Sequence, residues 1–113
     1  MATTVVEKER WQTYFDHLSS VLDTQLAEIE VAALDLGDQI ASEWVPLNGI
    51  TYDPKDDVLV VDLEGAEHVI RAPREVVVDE DDAGIRSLTV VCAEQHRHII
   101  RLRSALPLPN PEA

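Results

Sequence analysis

Apolar positions change their period along this chain, and the changes mark its elements. Trp11, Tyr14, Phe15, Leu18, Val21 and Leu22 recur at steps of three and four, which places them on one helical stripe and sends Glu9, Gln12, Asp16 and Ser19 elsewhere. Just upstream, Thr4-Val-Val-Glu7 has the form of a capping box, so the pattern predicts a helix that starts there. From about residue 25 the period becomes two. Ala27, Ile29, Val31 and Ala33 share one parity and Glu28 and Glu30 the other, the pattern of a half-buried strand.

Turn residues then divide the chain into further short strands. Asp35-Leu-Gly-Asp38 reads as a turn, residues 39–45 as a strand carrying Trp44, and Pro46 as its interruption. Asn48-Gly49 is hairpin chemistry, because a tight hairpin needs positive φ at both central positions. Asp53-Pro-Lys-Asp-Asp57 is an acidic turn that launches residues 58–63, where both parities are apolar apart from Asp62, so this strand is expected at the centre of the sheet. Glu64-Gly65 turns into residues 67–71, Pro73 precedes a strand at 75–78, and Asp79-Glu-Asp-Asp-Ala-Gly84 reads as a solvated connector. Residues 87–92 and 96–103 form a last hairpin around Ala93-Glu-Gln95.

One helix followed by about seven short strands with close turns predicts an α+β fold. The expected form is an N-terminal helix packed on a strongly curved, mainly antiparallel sheet or small β-barrel, with a flatter sheet as the alternative. Residues 1–105 are expected to form one domain, and the proline-rich stretch 106–113 a flexible tail. A length of 113 residues suits one modest core, and 45% hydrophobic residues are enough to build it.

Charge narrows the partners. The net charge is -13, and residues 1–70 hold three basic residues against fifteen acidic ones, whereas residues 71–113 hold six against seven. Such a field repels phosphate backbones and anionic lipid, which argues against ordinary nucleic-acid or membrane-surface binding. Cys92 is the single cysteine, so the chain can form neither an internal disulfide nor a thiolate metal cluster, and Cys92 reads as a small buried hydrophobe. No stretch approaches the roughly 20 apolar residues of a membrane span or the apolar run of a secretory leader, which gives a cytoplasmic expectation.

Few residues invite chemistry. Asp53, Asp56 and Asp57 cluster as hard-cation ligands do, but the loop lacks the alternating acids, sixth-position glycine and terminal glutamate of an EF-hand, so it reads as a turn. His96 and His98 share one strand face, and with His68 they are the candidate ligands for a metal or small ligand, although structural zinc usually recruits cysteines. No nucleophile elbow, phosphate loop or dinucleotide fingerprint occurs, so no enzyme activity and no cofactor are expected.

Arg97, Arg101 and Arg103 share the opposite strand face, and Arg71, Arg74 and Arg86 come from neighbouring segments. Arg97, Arg101, Arg103 and Arg71 are the candidate contacts to an acidic protein partner or to a second copy. The competing expectation is cross-strand pairing with Glu28, Glu30 or Glu75, worth roughly a few tenths of a kcal/mol each.

Trp11-Gln-Thr-Tyr-Phe-Asp16, the segment 28–38 ending in Asp-Leu-Gly-Asp, Pro46-Leu-Asn-Gly-Ile-Thr-Tyr-Asp-Pro-Lys-Asp-Asp-Val-Leu59, Pro73-Arg-Glu-Val-Val-Val-Asp-Glu80 and Ile99-Ile-Arg-Leu-Arg103 together resemble a small family of uncharacterised bacterial proteins, domain of unknown function 5335. The resemblance implies relatives of similar size and carries over no catalytic or binding residue. The functional expectation is a non-enzymatic protein-interaction or regulatory module, acting on a protein partner or by self-association. A metal- or ligand-binding role for His68, His96 and His98 stands second, and an acidic DNA mimic third.

Overall fold

A computed structural model of the chain describes residues 2–22, 25–33 and 37–107. It is an α+β fold with one helix, α1 (Trp11–Val21), and eight strands: β1 (Ala2–Val5), β2 (Leu26–Ala33), β3 (Gly37–Asp53), β4 (Val58–Leu63), β5 (Ala66–Arg71), β6 (Pro73–Asp81), β7 (Gly84–Cys92) and β8 (Arg97–Leu106). The strands form one antiparallel sheet in the order β1-β6-β7-β8-β2-β3-β4-β5. It stays open, with β1 and β5 at its ends, so the barrel alternative is not the one adopted.

The 17-residue β3 belongs to both limbs of the sheet. Its first half pairs with β2, from Ala33↔Gly37 to Leu26↔Pro46, and its second half with β4, from Leu47↔Leu63 to Asp53↔Val58. At the join the backbone bends. Trp44 has φ 34° and the register shifts between Leu47 and Gly49, as a bulged strand does when it turns a corner. The inner faces of both limbs then share one core. Ala27, Ile29, Val76, Val78, Leu88, Val90, Ile100 and Leu102 come from one limb, and Ile50, Tyr52, Leu59, Val61, Leu63 and Ile70 from the other.

Helix α1 buries Trp11, Tyr14, Phe15 and Leu18, the predicted stripe, while Val21 at its end is exposed. The Trp11 ring meets Tyr52 edge-on at 5.1 Å, and its Nε1–H donates to the Val6 carbonyl at 2.8 Å. This bond satisfies the one polar atom of a large buried side chain.

Four sequence expectations are corrected here. The capping box is absent: Thr4 pairs with Val78 within β1, a 3-10 turn spans Lys8–Arg10, and α1 begins at Trp11 with no side-chain cap. Pairing along the edge of β6 satisfies several backbone groups at once, where a cap would satisfy two. Asn48-Gly49 is not a hairpin turn, and Pro46 does not end its strand. The Pro46 carbonyl accepts from Glu64 N–H at 3.0 Å and Gly49 does not adopt positive φ, so β3 bends here but continues through both. Strand β4 is next to an edge rather than central. Its outer valines, Val58 and Val60, are only half-buried, whereas a central strand covered on both faces would bury them fully.

The acidic stretch at 79–84 is also shorter as a loop than expected, since β6 extends to Asp81 and β7 starts at Gly84. The expected turn at 35–38 lies partly outside the described residues, and so does the tail beyond Pro107. Among the described residues no helix is long and apolar enough to cross a membrane.

Candidate functional site: a histidine pair and an uncovered strand edge

His68 comes from β5 and His98 from β8, each on the face that carries buried Ile70 or Ile100. The two limbs bring them together. His68 Nε2 and His98 Nδ1 lie 2.9 Å apart, with ring centroids at 5.1 Å, a bond that needs one N–H and one lone pair and so suits two neutral rings. Burial pulls the His98 pKa down to about 4, with the charges of His68 and His96 acting in the same direction. Burial lowers His68 as well. Both are therefore neutral at pH 7.

His96 stands just before β8, where its carbonyl accepts from Cys92 N–H at 3.1 Å. Two imidazole nitrogens thus converge, one holding the shared N–H and the other the lone pair, and no group of three His, Cys, Asp or Glu donors is gathered among the described residues.

The acidic turns use their carboxylates locally. Asp53 Oδ1 accepts from Lys55 N–H at 2.9 Å and Asp56 N–H at 3.4 Å, which is how an Asx turn closes. Asp57 Oδ1 accepts from the Tyr52 hydroxyl at 2.8 Å, and the Asp57 carboxylate lies 3.9 Å from both Lys8 and Arg74. Burial first, and that bond second, push Tyr52 up to about 12. Asp81 accepts from Ala83 N–H at 2.8 Å and from Arg86 at 2.6 Å, and the Arg86 bond leads the causes holding its carboxyl below the usual range.

Most of the arginines are likewise engaged. Arg101 donates to Glu30 at 2.7 Å and Glu28 at 3.3 Å across the β8–β2 ladder. Its bond holds the Glu30 carboxyl low, while Asp38, hydrogen-bonded to Glu30, is raised. Arg103 lies 5.7 Å over the Trp44 ring. Arg97 is exposed and, with Ala32, Ala33, Asp38 and Gln95, lines an open depression of about 410 Å³. Arg71 is exposed at the end of β5. The third expected acceptor, Glu75, stands opposite Val91 in the β6–β7 ladder.

The feature that local sequence reading missed is the edge of β3. Strand β4 pairs with β3 only from Leu47 onward, so along residues 37–45 the side of β3 away from β2 has no partner strand among the described residues. Ile40 (47% exposed) and Trp44 (38% exposed) lie on this stretch. Isolated apolar residues in a polar run were the available signal, but the pairing that leaves the edge free is long-range.

A model described as a family of unknown function, DUF5335, matches residues 2–111. An uncharacterized protein of Aquifex aeolicus (strain VF5) is 43% identical over 111 residues, which cover 97% of this chain and 100% of that protein. No solved structure matches. Since the family match and the relative both span nearly the whole chain, the protein belongs to the family of unknown function DUF5335.

Proposed function

We propose that this protein is a non-enzymatic binding module that works through contacts with another protein. The observation that carries the reading is the open sheet with a strand edge, exposed and unpaired among the described residues, bearing Ile40 and Trp44. Unpaired backbone donors and acceptors are a template for another chain. The reactive side chains support the same reading, because Cys92 is buried, His68 and His98 bond to each other, and Asp53, Asp57 and Asp81 close turns or pair locally.

The test is native purification of the tagged full chain from its own host. A stoichiometric protein partner should remain through size exclusion. Elution at the size of the 12.6 kDa chain alone under all growth conditions would sink the proposal.

One observation favours a second reading, binding of a transition-metal ion, namely the convergence of the His68 and His98 ring nitrogens. Zinc titration followed by calorimetry distinguishes it. Saturable binding lost in His68→Ala and His98→Ala supports the metal site, and heats unchanged by those substitutions reject it.

A further inference from the structure

We propose that the uncovered edge of β3, residues 37–45, docks an extended basic segment of the partner, which adds to the sheet as a further antiparallel or parallel strand. This rests on the interaction-module reading and names its site and the chemistry of its ligand.

The two halves of β3 are treated differently. In the second half β4 pairs along one side, and on the other, at Ile50 beyond the end of the β2 ladder, Ser19 of α1 satisfies the backbone. The Ser19 Oγ accepts from Ile50 N–H and donates to the Ile50 carbonyl, both at 2.9 Å. One side chain thereby replaces a strand. In the first half no such substitute is present among the described residues, and alternate residues of an antiparallel strand turn their N–H and C=O groups outward.

Proteins commonly blunt an edge by making it short, placing Lys or Pro on it, or covering it. Strand β1 is only four residues long. At the end of β5 the chain is pinned at Ala72, whose N–H donates to the Asp57 carbonyl at 2.9 Å. Residues 37–45, Gly-Asp-Gln-Ile-Ala-Ser-Glu-Trp-Val, contain no Lys, Arg or Pro, and all except Ser42 and Val45 are exposed. Ile40 pairs with Glu30, and the Trp44 ring lies under Arg103, so both belong to the sheet face that carries the Arg101 cluster.

Charge selects the occupant. Residues 37–45 carry Asp38 and Glu43 and no basic residue, the arginines on the same face are engaged, Arg103 over Trp44 and Arg101 with Glu28 and Glu30, and the chain has a net charge of -13. A second copy would bring acid against acid, whereas an extended segment that carries Lys or Arg among β-branched apolar residues supplies opposite charge to the acidic edge and apolar contact to Ile40 and Trp44.

The full chain is tested with three synthetic probes: a peptide of alternating Lys and Val, its Glu–Val counterpart, and the Lys–Val peptide N-methylated at alternate residues. The Lys–Val peptide should bind at least about tenfold more tightly than either control, because both charge and backbone bonds are required. It should slow amide exchange across residues 37–45 and leave β1 and β5 unchanged. Ile40→Lys and Glu43→Lys, at exposed positions where the melting temperature should hold, should each weaken binding by about tenfold or more.

Absence of Lys–Val binding, or protection confined to β1 or β5, overturns the proposal. So does a concentration-dependent dimer of the free chain that Ile40→Lys abolishes, since the occupant would then be a second copy. Retention of the host partner by the Ile40→Lys chain would refute this edge while leaving the interaction-module reading intact, and a wild-type chain with no partner would refute both.

Discussion

Ser19 and Gly49 show how one residue's chemistry is set by another far along the chain. Ser19 reads from periodicity as a polar position of the helix, yet its hydroxyl makes two bonds to the Ile50 backbone. A Cβ on Gly49 would sit 3.3 Å from that Oγ. Glycine therefore serves a close approach here rather than a turn, and an added methyl group would have to push that hydroxyl aside by a few tenths of an ångström. Ser19→Ala should cost about 1–2 kcal/mol, because it strands a donor and an acceptor. Gly49→Ala should also destabilise, and the double variant should lose less than the sum, since the hydroxyl that the added methyl group crowds is gone. Chemical denaturation of the four chains measures both, and strict additivity would show that the two positions do not meet.

The histidine pair gives a pH dependence of definite sign. Both pKa values are depressed by burial, His98 to about 4, so below the ordinary value near 6.5 the unfolded chain binds more protons than the folded one. Stability is complete above that value and falls with acidification, by up to about 1.4 kcal/mol per pH unit for each histidine, until the folded pKa is reached. In His98→Gln the largest part of this loss is absent. The stability gap between wild type and variant should therefore narrow from pH 7 to pH 4, and a gap independent of pH would mean that His98 titrates as a solvated ring.

At the scale of elements, β3 decides the architecture. Its length lets β2 and β4 pair with successive halves, and its bend turns one ribbon into two limbs facing each other. The β6–β7 hairpin depends on a different closure. Gly84 has φ +132°, and a Cβ there would lie 2.5 Å from the carbonyl carbon and oxygen of Leu106. Backbone cannot yield as a flexible side chain can, so Gly84→Ala should cost about 2–3 kcal/mol, read from the denaturation midpoint. A loss of a few tenths would place the end of β8 farther away.

Over the whole molecule the balance of charge favours repulsion. Twenty-two acidic residues face nine basic ones. The ion pairs formed by Arg74, Arg86, Arg101 and Lys8 involve basic side chains from 40% to 58% exposed, where a pair contributes little. Added salt screens the repulsion more than it weakens these contacts. The melting temperature should rise by a few degrees between low and moderate ionic strength. A falling melting temperature would show that the ion pairs outweigh the net charge.

What could be read along the chain is what neighbours in sequence control. Steps of three and four marked the buried face of α1, alternation marked β2 and the inward line from His98 to Leu102, and the Asp53–Asp57 turn with its strand followed from residues in direct succession. Asn48-Gly49 misled because the same dipeptide serves a hairpin or a close helix–strand contact, and only the arrival of Ser19 from a distant part of the chain decides between them. Thr4 and Glu7 offered a local cap, but the edge of β6 offered a strand partner. Likewise, the meeting of His68 with His98, the pairing of Arg101 with Glu28 and Glu30, and the unfilled side of β3 all depend on which strands become neighbours. Local pattern set the type and inward face of elements such as α1, β2 and β8 through backbone geometry and burial; strand order, which long-range pairing alone creates, set which side chains meet and which edge is left open among the described residues.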